Sequence, residues 1–174
     1  IRFETIPGHQ AQVDWKEHGK QLVDGEIKNL YQFMMTLGFS RKPYIQFTTS
    51  MKSEIFLRCH INAFKYFGGV PETILYDNMK TAFVADENGD FQVQKDLLRF
   101  ASHYGFSAER CRVRRPQTKG KVERSIGYSL TNFWPRVKDG PLSIDSLNDE
   151  GLNWIESIMD KRISGLSESR RDRF

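Results

Sequence analysis

Most features that settle a function quickly are scarce in this chain. Its 174 residues hold two cysteines, Cys59 and Cys111, far apart and without metal-type spacing, so neither a disulfide scaffold nor a zinc module is expected. They read as free thiols of a reducing compartment, more often buried than reactive. The four histidines, His9, His18, His60 and His103, show no paired spacing for a metal, and His60 reads as a helix-face residue. No apolar run reaches the ~20 residues that cross a bilayer. The chain starts with Ile1 and carries no signal-peptide pattern, and it is expected to be a piece of a longer protein. Repeats and low-complexity tracts are lacking as well. What remains, at 39% hydrophobic and 28% charged residues, is one globular domain with a real core and room for an appended helix.

Net charge is small overall but concentrated. The formal net charge is only +4. Positions 110–124 hold seven cations (Arg110, Arg112, Arg114, Arg115, Lys119, Lys121 and Arg124) against one acid, Glu123, a local net of +6 that leaves the rest of the chain at −2. Such clustering is the footprint of a phosphate backbone. A solvated basic loop is the bland alternative.

Alternation of Ala11, Val13 and Trp15 with polar neighbours predicts a strand over His9–Lys16. His18-Gly19-Lys20 and Asp24-Gly25-Glu26 read as turns. The nearly continuous apolar run Leu30–Phe39, then Tyr44–Thr49, gives two more strands buried on both faces, completing an antiparallel meander. Ser50 or Ser53 can cap a helix carrying Phe56, Cys59, Ala63, Phe64 and Phe67, ended by Gly68-Gly69. Thr73–Tyr76 is a short strand, and the crossover places it parallel to one of the first three. A polar loop over Ala85–Asp90, a helix over Leu97–Tyr104 and a strand over Phe106–Val113 follow. Thr118 opens a helix that runs through Trp134 and stops at Pro135, and Leu147–Met159 forms the last one. The tail from Arg162 to Phe174 is polar, basic and expected to be loosely held. The pattern is α/β, with a mixed sheet of about five strands flanked by helices. Residues 1–140 form the core domain, and 141–174 a C-terminal helix and basic tail leading toward a further domain.

Two acids fall where such a sheet places ligands. Asp14 lies on the first strand between Val13 and Trp15, and Asp77 at the carboxyl end of the crossover strand. If the two strands are neighbours, the carboxylates face one another, and Glu123, one turn into a helix packed on the sheet, is the candidate third member. Three carboxylates without His or Cys suit a hard cation such as Mg²⁺. A pair of such ions ~4 Å apart supports phosphoryl transfer. Each acid also has an ordinary alternative: a surface strand acid for Asp14, a turn residue for Asp77, and an ion-pair partner of Lys119 or Lys121 for Glu123. Asn78 and Lys80 are candidates to assist substrate binding. Trp15, Tyr76 and Trp134 read as core residues.

The segments Gln12-Val13-Asp14-Trp15, Asp77-Asn78-Met79-Lys80-Thr81-Ala82 and Lys119-Gly120-Lys121-Val122-Glu123-Arg124 resemble, in order, the three acidic motifs of the retroviral-integrase-like DDE transposases. The sequence is most similar to their IstA-type members from bacterial insertion sequences. The resemblance spans residues 8–135, with Glu123 46 positions after Asp77. It implies an RNase H-like fold and a triad of Asp14, Asp77 and Glu123 holding two Mg²⁺ or Mn²⁺ ions. It implies nicking at transposon ends followed by strand transfer into target DNA, in the bacterial cytoplasm on the nucleoid. It further implies separate DNA-binding domains, work as a homo-oligomer and an ATPase helper protein. The chain departs from the pattern where many integrase-like enzymes place a lysine after the glutamate: Gly127 and Leu130 stand there, leaving Lys119, Lys121 and Arg124 as the available cations. Two other readings stay open, an RNase H-like nuclease and a non-catalytic nucleic-acid-binding module.

Overall fold

The computed structural model describes residues 5–77, 79–85, 90–111, 122–161, 163 and 167–174, with helical backbone alone for 122–125. Three antiparallel strands open the chain: β1 (Gln10–Val23), β2 (Glu26–Leu37) and β3 (Pro43–Thr48). Helix α1 (Ser53–Phe67) crosses over to β4 (Thr73–Tyr76), which lies parallel to β1. A small hairpin of β5 (Phe83–Ala85) and β6 (Phe91–Val93) comes next, then α2 (Lys95–Tyr104) and β7 (Ser107–Arg110). Helices α3 (Val122–Asn132), α4 (Trp134–Val137), α5 (Ile144–Met159) and α6 (Arg170–Arg173) complete the described chain. The main sheet has five strands in the order β3-β2-β1-β4-β7, with β7 parallel to β4. The expected mixed α/β sheet is therefore present, and β1 is its central strand.

Alternation along β2 explains the continuous apolar run. Phe33 and Met35 enter one core with Val13, Ile74, Tyr76, α1 and α2. Leu30 and Met34 enter a second core with Ile45, Phe47 and helices α3 to α5. A strand with period two that is covered on both faces has no need of polar positions. Phe33, Met34 and Leu30 are fully buried, each contributing about 1.5–3 kcal/mol relative to exposure.

Several local expectations change. His18-Gly19-Lys20 is not a turn. β1 runs through it to Val23, and the register shifts between Glu17 and Lys20. Gly19, at φ 72°, serves a bulge there, which needs the same left-handed freedom as a turn. The turn lies at Asp24-Gly25, both with positive φ (51° and 78°), as a two-residue hairpin requires. Ala85 ends β5 and pairs with Phe91 of β6, so two three-residue strands flank the expected polar loop, whose residues 86–89 lie outside the described residues. Lys52, not Ser50 or Ser53, is the N-cap of α1, without a side-chain bond. Pro135 does not stop a helix; it sits at the start of α4, where its missing N–H costs nothing. The last sheet strand covers Ser107–Arg110, and positions 112 and 113 of the expected Phe106–Val113 strand lie outside the described residues.

The C-terminal segment is more ordered than its composition suggests. α5 packs on β3 and supplies Leu147, Trp154, Ile155, Ile158 and Met159 to the second core. Ser169 and Asp172 form a reciprocal capping box for α6. The Arg173 guanidinium lies 4.0 Å over the Phe39 ring and donates to the Phe39 carbonyl.

Candidate active site

The parallel ladder between β1 and β4 pairs Gln10 with Thr73 and ends on Val13 opposite Tyr76. The next position on each strand is an aspartate, Asp14 and Asp77. Neighbouring strands run ~4.8 Å apart, so the two acids occupy adjacent places at the carboxyl edge of the sheet. The direction of Asp14 follows from the pleat. Val13 and Tyr76 belong to the core under α1 and α2, so Asp14, next on β1, projects to the opposite face, while Asp77 follows directly on the end of β4. The face of Asp14 is the one on which α3 packs against β1 and β2.

Both acids are partly buried. The Trp15 amide donates to Asp14 Oδ1 at 2.7 Å, which fixes one carboxylate oxygen against its own backbone. Beyond Asp77 the chain turns tightly: its carbonyl accepts the Met79 amide at 2.6 Å. Glu123 lies in the first turn of α3; its side chain is outside the described residues, and among those residues no three His, Cys, Asp or Glu side chains converge. Asn78, Arg112, Arg114, Arg115, Lys119 and Lys121 also lie outside them, and Arg124 has only its helical backbone described. Lys80 is exposed in the turn after Asp77, its carbonyl taken by the Gln94 amide group. Arg110 ends β7 directly opposite Tyr76, one position short of Asp77.

Two buried polar groupings that the sequence did not signal hold this edge. In the first, His60 Nδ1 lies 2.8 Å from the Phe56 carbonyl, and the Tyr76 hydroxyl 3.0 Å from His60 Nε2. A carbonyl can only accept, so Nδ1 carries the hydrogen and the Tyr76 hydroxyl donates to Nε2. Burial pushes His60 down to about 4 and Tyr76 well up, keeping both neutral. Their ladder position locks the residue immediately before Asp77. In the second, Gln32 Nε2 donates to Ser129 Oγ at 2.7 Å, and Ser129 Oγ donates to the Ile126 carbonyl. His18 Nε2 lies 2.9 Å from Gln32 Oε1, and its ring lies 4.0 Å from that of Trp134. Burial lowers the His18 pKa, partly offset by that hydrogen bond. This relay pins α3, the helix bearing Glu123, to the β1–β2 pair. Residues 14 and 97 positions apart leave no local spacing from which it could be read.

The likeness to known proteins follows the same lines. A simian T-cell lymphotropic virus intasome chain superposes with a TM-score of 0.73 over 99% of this chain and 56% of its own, at 15% identity. The HTLV-2 integrase catalytic core domain in complex with magnesium does so with a TM-score of 0.65, over 98% and 99%, also at 15% identity. Residues 4–116 match the family described as integrase core domain, and the chain belongs to that family. Among its relatives, a putative transposase for insertion sequence element IS5376 from Geobacillus stearothermophilus is 42% identical over 98% of this chain and 43% of its own length. The transposase for IS21 from Pseudomonas aeruginosa is 35% identical over 100% and 44%. That for IS640 from Shigella sonnei is 37% identical over 93% and 51%. The chain thus spans roughly half the length of these relatives.

Proposed function

We propose that this chain is the catalytic domain of a DNA transposase that nicks transposon ends and joins them to target DNA. The observation that supports the reading is that Asp14 and Asp77 each follow directly on the Val13–Tyr76 pair of neighbouring parallel strands, next to the strands on which α3 packs. Family membership and the transposase relatives support it.

The donor set fits a hard divalent cation, because the candidate groups are carboxylate oxygens without imidazole or thiolate. Asp14 and Asp77, with Glu123 as the third member, would hold Mg²⁺ or Mn²⁺, two ions by the resemblance, which supply Lewis-acid stabilisation of a phosphoryl transfer. The chain's own contribution is to fix these oxygens: β1 and β4 set the aspartate spacing, and the His18–Gln32–Ser129 relay sets the helix of Glu123. The cations from Arg110 to Arg124 would lie along the phosphate backbone and hold the scissile strand. Lys80 and Asn78, beside Asp77, would assist. Assembly as a homo-oligomer and an ATPase helper belong to the same reading for the whole protein.

The test uses the full-length protein with DNA carrying transposon ends. Metal-dependent end nicking and joining, abolished by Asp14→Asn, is the expected result. Cleavage of RNA–DNA hybrids without joining of DNA ends would make it an RNase H-like nuclease. DNA binding that survives chelation, with no chemistry at all, would leave only a binding module.

A further inference from the structure

One cation shares both a strand and a face with Asp14. Trp15 packs on Phe33 and Phe56, with ring centroids 5.7 and 5.6 Å away, against the core under α1. Its two neighbours on β1, Asp14 and Lys16, therefore project together to the other face. Their partners on β2 agree. Asp14 pairs with Met34, which enters the second core, and Lys16 with Gln32, which is bonded to Ser129 of α3. The register is unbroken as far as Glu17, so Lys16 follows Asp14 at about 6.6 Å along the strand. Its charge is also felt on that face: burial is the main cause of the lowered His18 pKa, and Lys16 adds to it.

Lys16 and its ladder partner differ in exposure. Gln32 is fully buried against α3, whereas Lys16, directly opposite it, is exposed. The helix thus covers the β2 side and leaves this position of β1 open. On the other flank β4 stops at Tyr76, opposite Val13, and no described strand pairs with β1 there from Asp14 to Lys16. The ammonium therefore stands at the carboxyl edge of the sheet, on a flexible four-carbon stem. With a scissile phosphate held at Asp14, the next phosphate of the same strand needs a cation of its own, and Lys16 is within a side chain's reach. We propose, resting on the transposase reading, that Lys16 holds the DNA phosphate next to the one being cleaved. This cation lies on β1, outside the basic run from Arg110 to Arg124.

The test measures binding of transposon-end duplexes by the full-length protein with metal chelated. Each duplex carries one uncharged methylphosphonate in place of a phosphate flanking the cleaved bond. At one flanking position the substitution should weaken binding by about 2- to 10-fold. In Lys16→Ala the same position should have no further effect. The slope of log affinity against log salt should fall by about 0.9 in Lys16→Ala, stay whole in Lys16→Arg and fall again in Lys16→Gln. Lys20→Ala is the control: Lys20 pairs with Asn29 beyond the bulge, on the face of Phe33, and should keep the full position effect. Thermal melting checks that each variant is folded, which an exposed position favours. Nicking of the ends in Mg²⁺ by the unsubstituted protein checks the transposase reading separately. Nicking together with additive losses at every position, or an unchanged salt slope in Lys16→Ala, overturns the role of Lys16 alone. Absence of nicking overturns the transposase reading and this role with it.

Discussion

Gln32 and Ser129, 97 positions apart, meet in a fully buried 2.7 Å hydrogen bond that ties helix α3 to the centre of the sheet. The amide has His18 on its other side. Ser129→Ala leaves the Gln32 amide group without this acceptor in the core, a loss of about 1–3 kcal/mol. Urea unfolding should show it as a lower midpoint with an unchanged slope. Because the bond positions the helix of Glu123, joining activity should fall further than the lost stability explains at temperatures where the variant is still fully folded. Activity that simply tracks the folded fraction would reduce the relay to a stability element.

Acid should destabilise the fold through the buried histidine. His60 has its pKa pushed by burial from 6.5 to about 4, so the unfolded chain binds the proton more tightly than the folded one. The favourable contribution is therefore complete above about pH 6.5 and is lost as pH falls toward 4, amounting to about 3 kcal/mol. His18 shifts in the same direction. Denaturant titrations between pH 4 and 7 measure the slope, and His60→Gln should flatten it even though the variant starts from a lower stability.

Cys59 is a core group, not a reactive one. It is fully buried on α1 and its thiol is pushed up to about 12 by burial. Thiolate is the nucleophile, so a Cys111→Ala variant should show no thiol reactive toward an aromatic disulfide reagent until denaturant is added. Rapid modification in the native state would mean that α1 opens easily.

Close docking of α5 makes a further substitution informative. A Cβ on Gly151 would lie 2.9 Å from Ile45 Cγ2, a buried methyl on a β-branched side chain that cannot swing aside. Gly151→Ala gains about 1 kcal/mol of helix propensity but incurs about 1–3 kcal/mol of overpacking. Thermal melting should show a net loss of stability, whereas Gly→Ala at an open helical site would raise it.

How far these relationships were legible in the sequence depends on their range. The run Leu30–Phe39 announced a strand buried on both faces, because continuous apolarity at strand length has few other causes. Asp14 stood out between Val13 and Trp15, and the crossover rule alone made β4 parallel to its partner strand. The β5–β6 hairpin was missed because three residues are too few to display a period. Gly19 was misread because a bulge and a turn ask for the same backbone conformation. The order in the tail did have a local signal, Ser169 with Asp172 three residues later, hidden by the basic residues between and around them. The polar relays had none: their partners meet only when the sheet and helices are assembled.

The central claim is that Asp14 and Asp77 act as one oxygen site at the end of the β1–β4 ladder. Anomalous diffraction from crystals of the protein soaked in MnCl₂ tests it directly. An ordered ion is expected within about 2.5 Å of carboxylate oxygens from both aspartates. The ion should be lost in crystals of Asp77→Asn. An ion bound elsewhere, or the two carboxylates turned apart with no metal between them, would contradict it.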